Sequence, residues 1–227
     1  TVNQRYTPGA WSLMGYGNYL NNGNTPPNYS VYDKYYLGWL EPAMLAESQV
    51  LEIPADGKTC YMISYDEQHV EGGPYRTDTV YYLENRQQEG WDAYLPGHGL
   101  LIWRVIFDEQ DWFDNCPNDY VARYLLVSAK KLSSPYTTTD PKPEVPFPGS
   151  SGQTSYITFS HSQLENIQEV DGLITCEFIT TNKTPVENIP SSNPTFNEQW
   201  YNILGQPIDP AHYVGIGINN GKKYLLR

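Results

Sequence analysis

The sequence predicts a mainly β protein: an antiparallel β-sandwich, preceded by a loop and one short helix and followed by a small β tail. Three observations carry that expectation. From Ala46 onward apolar residues recur with a period of two, in short runs separated by turn residues. Seven runs precede a Pro-rich stretch, at a spacing that suits a sandwich. Aromatic residues make up 14% of the chain, with 20 Tyr, and such side chains suit half-buried pleated surfaces.

Taken in order, the first 28 residues are rich in Gly, Asn and Pro and read as an ordered loop. Ser30 then caps a short helix, with Asp33 in the place usually held by the Glu of a capping box. Val31 with Tyr35, and Tyr32 with Tyr36, are i,i+4 pairs that give a broad apolar face. Gly38 and Pro42 end the element. Candidate strands follow at 49–53, 59–65, 79–86, 99–107, 120–129, 155–159 and 172–180. Residues 133–152, dense in Pro, Ser and Thr, are expected as a long surface loop or edge crossing. Residues 183–194 read as a linker, because Pro185, Pro190 and Pro194 remove backbone donors. Three short strands, 199–208, 212–219 and 222–227, then form the tail, and Asn220-Gly221 signals a type I′ hairpin between the last two. The expected organisation is 1–47 loop and helix, 48–182 sandwich, 183–194 linker and 195–227 tail.

Charge limits the function classes. With 26 acidic against 14 basic residues the formal net charge is −12, which argues against nucleic-acid binding, since that needs clustered Lys and Arg. There is no apolar run of ~18 residues, so no transmembrane segment is expected, and the polar start Thr1-Val2-Asn3-Gln4-Arg5 suggests an internal or mature fragment. Cys60, Cys116 and Cys176 have no metal-binding spacing. The odd count favours buried free thiols, with a bridge between two of the three left open.

The motif Trp11-Ser12-Leu13-Met14-Gly15-Tyr16-Gly17 is followed by PPNYSVYDKYYLGWLEP, YYLENRQQEGWDAYLPGHGLLIWRV, FDEQDWFDN and PFPGSSGQTSYITF. Over residues 6 to 180 this ordered series resembles the immune-inhibitor-A-like secreted zinc metalloproteases of the metzincin clan. The resemblance implies that residues 1–47 are the distal part of a catalytic domain, carrying its Met-turn and the next helix. Met14 would form the hydrophobic floor beneath the zinc, and Tyr16 and Gly17 would lie where the loop turns toward the substrate cleft. Trp11, Leu37, Trp39 and Leu40 would be core of that subdomain. A metzincin holds zinc with H-E-x-x-H and a third ligand, the Glu acting as general base. The four histidines here, His69, His98, His161 and His212, include no pair one helical turn apart. The ligands would therefore precede Thr1, and this chain alone is expected to be non-catalytic, with zinc only in the intact protein.

Other residues invite chemistry. Glu84, Arg86 and Asp92 surround a turn, either as structural ion pairs or as the far wall of a substrate groove. His98, between two glycines at a strand entry, suits a hydrogen-bonded structural role. Relatives often carry His at the place of Arg104. Asp108, Glu109, Asp111, Asp114, Asn115, Asn118 and Asp119 form an acidic, amide-rich loop around Trp112. It is either a solvated loop or a calcium site, with Asp108, Asp111, Asn115 and Asp119 as ligands. The stretch from Trp200 to Arg227 is similar to sorting tails of the type IX (Por) secretion pathway, which implies an extracellular destination and secretion machinery as a partner. The further partners expected are the upstream catalytic half and a protein or peptide substrate. The functional expectation is the non-catalytic C-terminal portion of a secreted zinc metallopeptidase. The alternative is an extracellular sandwich that binds glycan or a surface protein through exposed Tyr and Trp.

Overall fold

The run Leu100-Leu101-Ile102-Trp103 lacks polar alternation because both of its faces are buried. The computed structural model describes residues 6–64, 78–119, 121–130, 142–159, 161–181, 200–202, 206–213, 215–219 and 222–226. The chain divides into two compact units, Thr1–Asn182 and Lys183–Arg227.

The first unit opens with a 3-10 turn at Gly9–Trp11 and a kinked 3-10 segment at Gly17–Gly23. Helix α1 (Val31–Tyr36) starts at the expected capping box: Ser30 Oγ accepts from Asp33 N at 3.0 Å, and Asp33 Oδ2 accepts from Ser30 N at 3.2 Å. Then come β1 (Ala43–Met44), β2 (Gln49–Ile53), β3 (Cys60–Ser64), β4 (Asp78–Arg86) and β5 (Gly99–Phe107). A one-turn helix α2 (Glu109–Phe113) precedes β6 (Tyr124–Val127), β7 (Tyr156–Phe159), β8 (Ser162–Val170) and β9 (Leu173–Thr180).

Two sheets result. One has the order β1-β3-β4-β5-β6, antiparallel apart from the two-residue β1/β3 pair. The other is antiparallel with the order β2-β9-β8-β7. They pack face to face as the predicted sandwich: Leu83, Leu100 and Ile102 meet Leu51, Ile53, Leu164, Ile167, Ile174 and Phe178 in one core. On the opposite face of the first sheet, Met62, Tyr82, Leu101, Trp103 and Val105 pack with Trp11, Val31 and Tyr32. The N-terminal segment is thus a third layer, and β5 feeds alternate residues into two cores. Each such Leu, Ile or Val contributes on the order of 1.5–3 kcal/mol by leaving water.

Several expectations need correction. β8 was not among the predicted strands, because a bulge between Glu165 and Gln168 inserts a residue and sets its buried residues, Leu164 and Ile167, three apart rather than two. The predicted strand at 120–129 shrinks to four residues, since Arg123 turns toward Asp111 and Asn118 clamps Tyr124. The stretch 133–152 is not all surface loop. Residues 131–141 lie outside the described residues, but Lys142, Val145 and Phe147 are fully buried, and Phe147 bridges to Leu100 on β5. Leu37 and Trp39, expected as core, are 48% and 65% exposed, while Trp11 is sealed and Leu40 is partly covered. The apolar face of α1 is also narrower than expected, with Val31 and Tyr32 buried and Tyr36 exposed.

The expected linker 183–194 and His69 fall outside the described residues. In the second unit β10 (Trp200–Asn202), β11 (Pro207–Ile208), β12 (Gly215–Asn219) and β13 (Lys222–Leu226) form one antiparallel sheet in the order β11-β10-β12-β13. The predicted strand 199–208 folds back on itself, so four strands replace three. Asn202 holds that reversal, its side chain accepting from Gln206 N at 2.9 Å and donating to Gln206 Oε1 at 2.9 Å.

Candidate functional site

The residues singled out from the sequence fall at four places in the first unit. The first is the Met14 turn. Ser12 O accepts from both Gly15 N and Gly17 N at 3.0 Å, and Gly9 O accepts from Tyr16 N at 2.8 Å. Glycine is required at two of these positions by close approach: a Cβ on Gly15 would lie 2.5 Å from Gly9 O, and one on Gly17 would lie 2.6 Å from Ser12 O. The turn therefore closes tightly and leaves Met14 at its apex, 83% exposed. The Tyr16 ring lies tilted against that of Tyr19, with centroids 5.1 Å apart.

The second is a buried ionic clamp. Arg86 reaches Asp92 with Nε at 2.7 Å and Nη2 at 2.5 Å, donates through Nη1 to Glu84 at 3.4 Å, and donates through Nη2 to Asn28 O at 3.1 Å. Asp92 also accepts from Asn28 N at 2.8 Å and Nδ2 at 3.0 Å, while Trp103 Nε1 donates to Glu84 at 2.7 Å. Burial disfavours the charged carboxylate of Asp92, but bonds from Arg86 and then Asn28 outweigh it and hold its pKa below the usual range. For Glu84 burial wins over the pull of Arg86 and pushes the pKa up. The clamp joins the N-terminal layer, through Asn28, to β4 and β5. Asn28 and Trp103 were not singled out by sequence reasoning, and only their neighbourhood in space identifies them.

The third is a cleft of about 660 Å³ whose lining includes His98, Glu169, Asp171 and Ser150, with Pro96, Pro143 and Pro148. His98 Nδ1 lies 2.6 Å from Glu169 Oε1, which accepts also from Gln87 Nε2 at 3.0 Å. His98 thus has the hydrogen-bonded setting expected of it. Glu169 was missed because it lies on β8, the strand that the bulge hid from the sequence pattern.

The fourth is the acidic loop. Arg123 pairs with Asp108 at 3.3 Å and with Asp111, and Asp108 Oδ1 caps α2 by accepting from Asp111 N at 3.1 Å. Asp114 accepts from Gln110 at 2.7 Å, Asn115 ends the helix in the left-handed region at φ 54°, and Asp119 N donates to Cys116 O at 3.2 Å. A guanidinium is therefore the cation placed between the first two carboxylates.

The residues described do not fit a zinc site. Among them no three His, Cys, Asp or Glu side chains gather as ligands. His98 is on Glu169, His161 stacks on Phe159 and His212 is on Asp209 at 2.7 Å. Cys60 and Cys176 are buried free thiols, with pKa values pushed to about 12, first by burial, so both stay protonated and inert. No described helix is long and apolar enough to cross a membrane. Compared with known proteins, the chain matches no family model, no curated protein and no solved structure.

Proposed function

We propose that this chain is the non-catalytic C-terminal portion of a secreted zinc metallopeptidase, in which an upstream half, preceding Thr1, supplies the zinc ligands and the general base. The observation that carries the reading is the two-sided burial of the N-terminal layer. Trp11, Val31 and Tyr32 are sealed against the first sheet, whereas Met14, Tyr36, Leu37 and Trp39 of the same segment stand 83%, 61%, 48% and 65% exposed. Several large apolar side chains exposed in one segment support a surface that takes a partner, and under the Met-turn resemblance that partner would be the upstream half of a catalytic domain. The buried clamp of Glu84, Arg86, Asp92 and Asn28 would then hold this segment rigidly enough to support a site. In this reading the tail beyond Lys183 serves export.

Co-expression of the upstream sequence with this chain tests the reading. The expected result is a complex that retains zinc through dialysis and cleaves casein in a chelator-sensitive way, while neither half does so alone. An upstream sequence without H-E-x-x-H, or a complex that neither binds zinc nor hydrolyses protein, overturns it.

One observation favours the binding-module reading instead: Trp91 and Tyr94 are 58% and 50% exposed on the turn after β4. Exposed aromatic faces of this kind stack on sugar rings. A polysaccharide panel, with Trp91→Ala as control, separates the two readings.

A further inference from the structure

The hydrogen-bond chain behind His98 fixes its chemistry. Asn85 Nδ2 donates to Ile53 O and Gly172 O, both at 2.7 Å, so both amide hydrogens of Asn85 are engaged and its Oδ1 is left to accept. Gln87 Nε2 donates to that Oδ1 at 2.8 Å and to Glu169 Oε1 at 3.0 Å, engaging both of its own hydrogens. Glu169 Oε1 is therefore an acceptor toward Gln87, and the 2.6 Å contact from His98 Nδ1 must also be a donation to it. This network assigns neutral His98 its Nδ1–H tautomer and leaves Nε2, on the far side of the ring, with a bare lone pair. Glu169 is 14% exposed and His98 50%, so the carboxylate is held inside and the imidazole stands at the cleft.

The carboxylates of the described lining are both acceptors. Among the described lining residues the titratable ones are His98, Glu169 and Asp171, and none is Lys or Arg. The rest of the described lining is Gln88, Ser150, three glycines and the rings of Pro96, Pro143 and Pro148, which give it an apolar part. Acceptors beside apolar proline rings are complementary to a donor-rich cation on an aliphatic stem. We propose that this cleft binds a lysine side chain or a peptide amino terminus, its ammonium donating to the Asp171 carboxylate and His98 Nε2, with its stem against the prolines. The inference does not depend on the protease reading, because it concerns binding by this chain alone.

Calorimetric titration of the full chain with acetyl-Gly-Lys-Gly-amide tests it, beside the same peptide acetylated on the lysine Nε and a neutral trisaccharide. Saturable binding of the lysine peptide is expected, weakened about 10-fold or more by acetylation, as for loss of a charge-assisted hydrogen bond. Asp171→Asn should weaken binding by a similar factor without lowering Tm, since Asn tolerates the left-handed backbone found there at φ 50°. Should that variant fail to fold, Ser150→Lys, at an exposed position on the cleft rim, should abolish binding by supplying a competing ammonium. Equal affinity for the free and acetylated peptides, unchanged binding in the variants, binding of the trisaccharide alone, or no heat at about 10 mM peptide each overturns the proposal.

Discussion

Arg86 meets Asp92 through two parallel hydrogen bonds, at 2.7 and 2.5 Å, with the two side chains only 4% and 7% exposed. Removing one partner of such a pair leaves a buried charge uncompensated. Asp92→Ala should therefore destabilise the fold by ~3–5 kcal/mol, measured by urea denaturation at neutral pH.

The same pair gives a pH dependence with a definite sign. Asp92 has a depressed pKa in the folded state, so its contribution is present above the ordinary value of 3.8 and is lost as pH falls below it through the folded value. Glu84 has a raised pKa and acts oppositely, contributing below its ordinary 4.5 and losing that contribution as pH rises through its folded value. In denaturant midpoints recorded from pH 2 to 7, Asp92→Asn should flatten the acid limb and Glu84→Gln should leave that limb in place. The reverse pattern would contradict the assignment.

Ser30 does two tasks. Its Oγ caps α1 and also lies 2.6 Å from Tyr124 OH, a buried hydroxyl that further contacts Asp33. Ser30→Ala should cost ~1–2 kcal/mol for the cap and more for the stranded hydroxyl. A double-mutant cycle with Tyr124→Phe should show a coupling of roughly 0.5–3 kcal/mol. Additive losses would mean that the two bonds are independent.

Met14 distinguishes a surface residue from a covered one. In this chain Met14→Ala should change stability by no more than ~0.5 kcal/mol, as for an exposed site. In complex with the proposed upstream half it should cost ~2–5 kcal/mol and loosen zinc retention. An equal effect in both settings removes the Met-turn reading.

Around Asp108 and Asp111, Arg123 stands where a cation would be useful. Tm of the natural chain should be indifferent to millimolar calcium, and Arg123→Gln should lower Tm and make it calcium-sensitive. Stabilisation of the natural chain by calcium would restore the site read from the sequence.

Much of the fold was legible because its signals are local. The Ser30 and Asp33 capping box lies within one turn, β2 has the bounds its alternation predicts, and β12 and β13 pair with Asn219 opposite Lys222, the dipeptide between them lying outside the described residues. What escaped was set by long-range geometry. The bulge in β8 breaks the period that would reveal it, and with β8 went Glu169, the anchor of the His98 cleft. Lys142 and Phe147 read as loop because nothing in a Pro-rich string shows that it threads between Trp11 and β5. Trp39 and Leu37 were expected as core through the family resemblance alone, and a matched motif does not show which of its apolar side chains stay exposed.

The seating of the N-terminal layer also sets a timetable for biosynthesis. Tyr6 is tied to Leu126, and Trp11 to Lys142, across 120 and 131 positions of sequence. At ~5–20 residues per second, translation needs on the order of ten seconds to deliver those partners after the first turn has emerged. Of the residues in this unit, those translated first are thus among the last to lock. Throughout that interval Trp11, Tyr32 and their neighbours are open to chaperones, and to any apolar surface translated ahead of them.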